Sequence, residues 1–299
     1  MRILFKSSLL FIFIITSGPL SAQQIQSPKT DVYQDGVILF EKGFFEESLN
    51  KLTQFKKNNT NSELSIFVDY YIARSKTGID STGIEYYYQS FIRDYPKHDL
   101  SKILLKDLGH RFSKNGNYED AITYYQESLK TYNSIATAAE TEYWVAEAAV
   151  EKGDNIEARR YFLALADKYP ESDWSPKALY ARGRLYLSEN KFDSSSIAFE
   201  VLKERYPNNP ITRRVGTALG ESYYQQGKYS ESIEALRVAM PYLDDESKEK
   251  AIFLIAESFN FLGDFKESSK AYLQYLNLTK GTDKERSAHY GLGWLYHKP

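Results

Sequence analysis

The sequence predicts an all-α fold, an α-solenoid of antiparallel helix hairpins. Three observations predict it. A small residue returns at a period of 37, a turn signal returns in phase with it, and apolar residues stand at helical spacing on both sides of each turn.

The small residue is Gly109, Ala146, Gly183 and Gly220, each 37 after the last. Ala73 and Gly36 extend the series backward, and Ala256 and Gly293 extend it forward. The turns are Lys42-Gly43-Phe44, Asn115-Gly116-Asn117-Tyr118, Lys152-Gly153-Asp154, Gln226-Gly227-Lys228-Tyr229 and Leu262-Gly263-Asp264-Phe265. A further marker follows the same rhythm: Tyr95-Pro96, Tyr132-Asn133, Tyr169-Pro170 and Tyr206-Pro207.

Each unit reads as two helices. Leu104, Leu105, Leu108 and Phe112 follow helical spacing, Gly116 stops the helix, and Tyr118, Ala121, Ile122, Tyr125 and Leu129 restart it. The Tyr-Pro pairs end second helices, because proline disfavours helical geometry in the residue before it. The small residue in each first helix lets the two helices of a hairpin approach closely. The second helix supplies another small residue at the matching level (Ser48, Ala121, Ala158, Ser195, Ser232, Ser268). A large one follows four later (Leu52, Tyr125, Phe162, Phe199, Leu236, Tyr272) and is expected to fill the space between neighbouring hairpins.

The first 22 residues read as a secretory signal. Arg2 and Lys6 are its basic region, Leu9 to Ile15 its apolar stretch, and Leu20-Ser21-Ala22 ends on a small residue, placing cleavage before Gln23. The alternative is an uncleaved membrane anchor, against which stands an apolar run shorter than the ~20 residues that span a bilayer; no integral span is expected after cleavage. A short linker, 23–29, then leads to a solenoid over 30–299 of about seven full hairpins and a terminal half. The hairpin at 61–99 is the least regular: its turn, Gly78-Ile79-Asp80-Ser81, is longer, and Ile84 replaces the small residue. The half-hairpin at 283–299 lacks its second helix. The expectation is that Leu295 and Tyr296 are exposed, and that the array continues or another chain covers this end.

Composition narrows the function. Hydrophobic residues make up 42% of the 299, enough for a sizeable core, and charged residues of mixed sign make up 26%. Removing Arg2 and Lys6 leaves 36 basic against 40 acidic residues, a balance of −4 that gives a nucleic-acid backbone nothing to hold. The chain has no cysteine, so disulfides, thiolate metal sites, cysteine nucleophiles and lipid attachment through an N-terminal cysteine are all excluded. The four histidines, His98, His110, His289 and His297, form no metal-binding pair. Gly-rich phosphate loops and Gly-x-Ser-x-Gly elbows are absent. No enzyme activity, cofactor or metal is therefore expected.

The pattern Leu108-Gly109, Phe112, Gly116-Asn117-Tyr118, Ala121, Tyr125 resembles the tetratricopeptide repeat (TPR) family, and Leu219-Gly220, Tyr223, Gly227, Tyr229, Leu236, Ala239 repeats the likeness. The likeness covers about residues 30–299, with 37 in place of the usual period of about 34. It implies a right-handed superhelix whose first helices line a concave face. The Tyr-Pro endings resemble repeats of bacterial envelope proteins, which implies export, periplasmic or extracellular.

On that face the resemblance places the residues one after the small position, among them Arg74, His110, Glu147, Arg184, Glu221 and Glu257. Three before it stand Tyr70, Tyr143 and Tyr180, with Lys106, Thr217 and Phe253, and four after it stands Tyr224. Read functionally, these residues form a groove for an extended peptide or partner helix. Read structurally, the Tyr row packs between adjacent first helices and the charges are solvated. Glu147 and Glu221 stand where the family's carboxylate clamp has Asn, so that ligand class does not carry over. The expected function is an exported scaffold for protein–protein contact in the cell envelope. The alternative is an envelope glycan-binding module, since Tyr and Trp faces stack on sugars.

Overall fold

A computed structural model describes residues 28–130 and 135–296. The expected signal segment, Tyr132-Asn133 and His297 lie outside the described residues. Among those described, there are helices and no strand. The described residues fall into two compact units, one ending at Phe91 and the other beginning at Ile92. The first holds α1 (Pro28–Glu41), α2 (Phe45–Asn58), α3 (Ser65–Ile79) and most of α4 (Ile84–Asp94).

The second unit holds α5 (Asp99–Lys114), α6 (Tyr118–Leu129), α7 (Ile135–Lys152), α8 (Asn155–Lys168), α9 (Trp174–Ser188) and α10 (Phe192–Arg205). It continues with α11 (Pro210–Arg214), α12 (Gly216–Gln225), α13 (Tyr229–Ala239), α14 (Asp245–Phe261), α15 (Phe265–Thr279) and α16 (Glu285–Tyr296). One first helix departs from expectation: it is divided at Val215 into the short α11, capped by the Asn209 side chain, and α12.

The hairpin turns use the left-handed backbone their glycines predict. Gly116, between α5 and α6, has φ of 82°. The α9–α10 turn contains no glycine, and Asn190 takes the left-handed conformation there at φ 57°.

Close approach within a hairpin is visible at Gly183. A Cβ there would stand 2.5 Å from the Phe199 ring, so α9 and α10 could not pack as they do with any larger residue. Phe199 fills that space and also joins a buried cluster with Val215 and Leu219, so it serves its own hairpin and the next. The serines of the second helices are more than small. Ser195 Oγ donates to the Gly183 carbonyl at 3.1 Å, Ser232 to Gly220 at 2.7 Å and Ser268 to Ala256 at 2.8 Å. Ser48 does the same to Gly36 at 2.8 Å in the first unit.

The links between hairpins are built alike. Tyr169-Pro170 follows α8, and the Tyr169 carbonyl accepts from Ser175 Oγ, six residues on, at 2.6 Å. Tyr95 with Ser101 and Tyr206 with Thr212 repeat the arrangement at 2.6 and 2.7 Å. The hydroxyl adds a second hydrogen bond to a carbonyl that already accepts from the backbone N–H three residues on.

The last helix corrects two expectations. The glycine that abuts the Tyr272 ring is Gly291, not Gly293. Leu295 is half-buried, because α16 lays Leu292 and Leu295 against the cluster of Leu254, Ile255 and Tyr272. The exposed rings of α16 are Tyr290 and Trp294 instead. The Tyr296 side chain lies outside what is described.

Candidate functional site

The candidate residues of the first unit pack with each other. Tyr70 is buried, with its ring 6.0 Å from that of Phe91. Arg74 Nη1 donates to the Tyr70 hydroxyl at 3.0 Å, and its guanidinium lies 5.0 Å over the Phe40 ring.

In the second unit several candidates are also engaged internally. His110 Nδ1 is 2.7 Å from the Tyr125 hydroxyl, and the ring meets Trp144 edge-on. Burial, with Lys106 nearby, lowers the imidazole pKa to about 4, so the ring is neutral. Tyr143 packs between Phe162 and Trp174, and burial and Glu147 raise its pKa well above the usual phenol value. Glu257 accepts from the Tyr272 hydroxyl. Tyr224 beside it has a pKa pushed up to about 12, first by burial and then by Glu257. Its ring also meets Tyr229 and Phe261, which stack face to face at 4.7 Å.

Tyr180, Arg184 and Glu221 behave differently. They converge on one cavity of about 550 Å³ lined by α9, α12 and α14, the first helices of successive hairpins. Arg184 is exposed and has no hydrogen-bond or ion-pair partner among the described residues. Thr217 Oγ1, in the same cavity, is shielded from solvent and also lacks a partner among the described residues. Glu221 is held by Lys250 at 2.7 Å, and on the far side Lys284 binds Glu249 at 2.6 Å. Tyr180, Phe253 and Tyr275 supply aromatic wall. The arrangement sets one unpaired planar cation, Arg184, among rings and two ion pairs, with Asp244 and Glu246 also on the lining. A guanidinium has the planar donor geometry to take a carboxylate through two parallel N–H groups.

Lys250, Tyr275 and Lys284 were not anticipated. Lys250 had a usable signal: it lies one turn before Phe253 on the stripe that continues to Glu257. Tyr275 belongs to the second helix α15 and Lys284 to the loop before α16, so only the folded packing brings them in.

Residues 106–173 and 146–210 match the tetratricopeptide repeat family. No curated protein matches the chain. Among solved structures, the C-terminal part of a TPR repeat-containing protein from Cytophaga hutchinsonii is 15% identical, with a TM-score of 0.65 over 86% of this chain and 98% of that one. A tetratricopeptide repeat protein from Parabacteroides merdae is 12% identical with a TM-score of 0.48, covering 90% of this chain and 99% of its own. MamA from Desulfovibrio magneticus is 18% identical with a TM-score of 0.48, covering 61% and 97%. The likeness to the Cytophaga hutchinsonii protein establishes the fold as an α-solenoid of the tetratricopeptide kind. Among the described residues, no group of acidic and histidine side chains is arranged to hold a metal ion, and no helix is long and apolar enough to cross a membrane.

Proposed function

We propose that the chain is an exported, non-catalytic scaffold that holds a segment of a partner protein on the face formed by its first helices. The observation that carries this reading is the unpaired guanidinium of Arg184, set beside Tyr180 and Glu221 in a cavity that spans three hairpins. A segment laid across α9, α12 and α14 would present an acidic side chain to Arg184 and apolar side chains to Tyr180 and Phe253. Export rests on the basic and apolar pattern of residues 1–22, and a periplasmic role in envelope assembly or maintenance follows from it together with the Tyr-Pro endings. The 37-residue spacing of the small positions, which sets one first helix beside the next, belongs to the same proposal.

The test is affinity capture from an envelope extract with the full chain and with Arg184→Glu. Reversal of one charge at a desolvated contact costs roughly 2–5 kcal/mol, so partners held through this cavity should fall by more than about tenfold. Glu221→Lys should weaken capture less, because it leaves Arg184 in place. Equal recovery of every captured protein by wild type and Arg184→Glu sinks the assignment of this cavity.

A further inference from the structure

Four glycines at the recurring small position meet the same kind of neighbour. A Cβ added at Gly36, Gly109, Gly183 or Gly220 would stand 2.5 to 2.7 Å from the large side chain 16 residues later, Leu52, Tyr125, Phe199 or Leu236. That side chain belongs to the second helix of the same hairpin. Two further contacts accompany it. The Gly36, Gly183 and Gly220 carbonyls each accept from a serine 12 residues on. A ring three residues before the small position meets the large ring of the second helix: Tyr143 with Phe162 at 5.4 Å, Tyr180 with Phe199 at 5.9 Å and Phe253 with Tyr272 at 6.2 Å.

The same register runs onto α16, where it is unmet. Gly293 stands 37 after Ala256, and a Cβ added there has nothing within 4 Å. Tyr290, three before it, is 78% exposed. The opposite side of α16 is occupied: Gly291 abuts the Tyr272 ring, and Leu292 and Leu295 pack on the preceding hairpin. Glycine inside a helix is unfavourable relative to alanine unless another group comes close to it. Gly293 and Tyr290 therefore present the shape that receives a second helix elsewhere in the chain, and no described residue covers it.

We propose that this face of α16 docks an amphipathic helix of a partner protein, laid antiparallel to α16 in the manner of a second helix. It carries a large apolar side chain over Gly293, against the Tyr290 ring, and a serine or alanine four residues before it. The helix-to-helix contact of the hairpins is thereby continued in trans. A serine at that position would donate to the Gly293 carbonyl as Ser195 does to Gly183. A second copy of the chain is a poor occupant. Its own second helices have these large side chains turned inward, with Leu52, Tyr125, Phe162, Phe199, Leu236 and Tyr272 all at 0% or 1% exposure. The face is separate from the Arg184 cavity, which α9, α12 and α14 line, and does not rest on it.

The probe is a fluorescein-labelled peptide of α10, residues 192–205, which carries Ser195 and Phe199 at the required spacing. Fluorescence anisotropy is measured with the full chain. The peptide is expected to bind, and the same peptide with Phe199→Ala to bind more than about tenfold more weakly. Gly293→Leu in the chain should weaken the unaltered peptide by a similar factor, because its side chain fills the slot. Tyr290→Ala removes only the flanking ring and should give a smaller loss. Gly293→Leu should not lower the melting temperature, since nothing stands within 4 Å of its Cβ, and this separates a filled slot from a misfolded chain. Absence of peptide binding overturns the proposal, as does binding that Gly293→Leu leaves intact. A lower melting temperature for Gly293→Leu would mean that the chain itself already covers this face. A dimer in sedimentation that Gly293→Leu dissociates would assign the face to a second copy. Either result also overturns the proposal.

Discussion

At the scale of the residue, His110 carries a measurable consequence. Its Nδ1 faces the Tyr125 hydroxyl, the ring abuts Trp144, and Lys106 with its partner Glu140 are the charges nearby. Burial and Lys106 disfavour the imidazolium and outweigh Glu140, taking the pKa from an ordinary 6.5 to about 4. Between those values the unfolded chain binds a proton that the folded chain refuses, so stability rises with pH through this window and is lost as pH falls through it. At pH 5 the loss relative to neutral pH is at most about 2 kcal/mol, trimmed by partial exposure of the ring. His110→Gln does not titrate and keeps a polar atom near Tyr125. Urea unfolding at pH 7 and pH 5 should therefore show wild type losing more stability than the variant. Parallel behaviour of the two would mean that the ring is solvated in the folded state. The helical stripe placed His110 on the first helix correctly. Its turn inward was not legible, because that depends on Tyr125 arriving from α6.

At the scale of the element, helix pairing has a polar component that the small-residue pattern conceals. Read as sequence, Ser195, Ser232 and Ser268 are interchangeable with Ala121 and Ala158, since all of them permit close approach. Folded, each serine ties its second helix to a carbonyl of its first, and Ser195 also receives a hydrogen bond from Ser222 of the next first helix at 3.0 Å. Three helices, α9, α10 and α12, therefore meet at one buried hydroxyl. The alanine hairpins achieve the same approach without it, so the bond adds to packing rather than replacing it. Ser232→Ala should cost about 1 kcal/mol, the usual net worth of a buried hydrogen bond. Ser230→Ala, on the exposed side of the same helix, should change stability by less than about 0.5 kcal/mol. Denaturant titrations of the two variants make the comparison. Equal effects would show that the Gly220 carbonyl finds another donor. The Tyr-Pro links follow the same logic: proline announced the end of each second helix, while the hydroxyl six residues after the tyrosine gained meaning only when the link was seen folded.

At the scale of the whole molecule, the second unit is held together by packing between helices that are near in sequence: α9 with α8, α10 and α12, α12 with α13 and α14, and α14 with α15 and α16. This is the reason the fold was legible from period alone, since each hairpin repeats the same local instructions and needs no long-range pairing. The candidate cavity was legible in part for the same reason. Tyr180, Arg184 and Glu221 lie on a stripe that the period defines, whereas Tyr275 and Lys284 depend on how successive hairpins rotate past one another. Nearest-neighbour packing also determines how damage spreads. Gly183→Leu would drive a branched side chain into the Phe199 ring, and overpacking of this kind costs about 1–3 kcal/mol. Hydrogen exchange should accelerate in α9 and α10, and to a smaller degree in α8 and α12, which pack on them. α15 and α16 share no extensive packing with α9 or α10, so their exchange should stay at the wild-type rate. Uniform acceleration from α5 to α16 would instead mean that the unit opens as a single cooperative body, with each hairpin's stability borrowed from all the others.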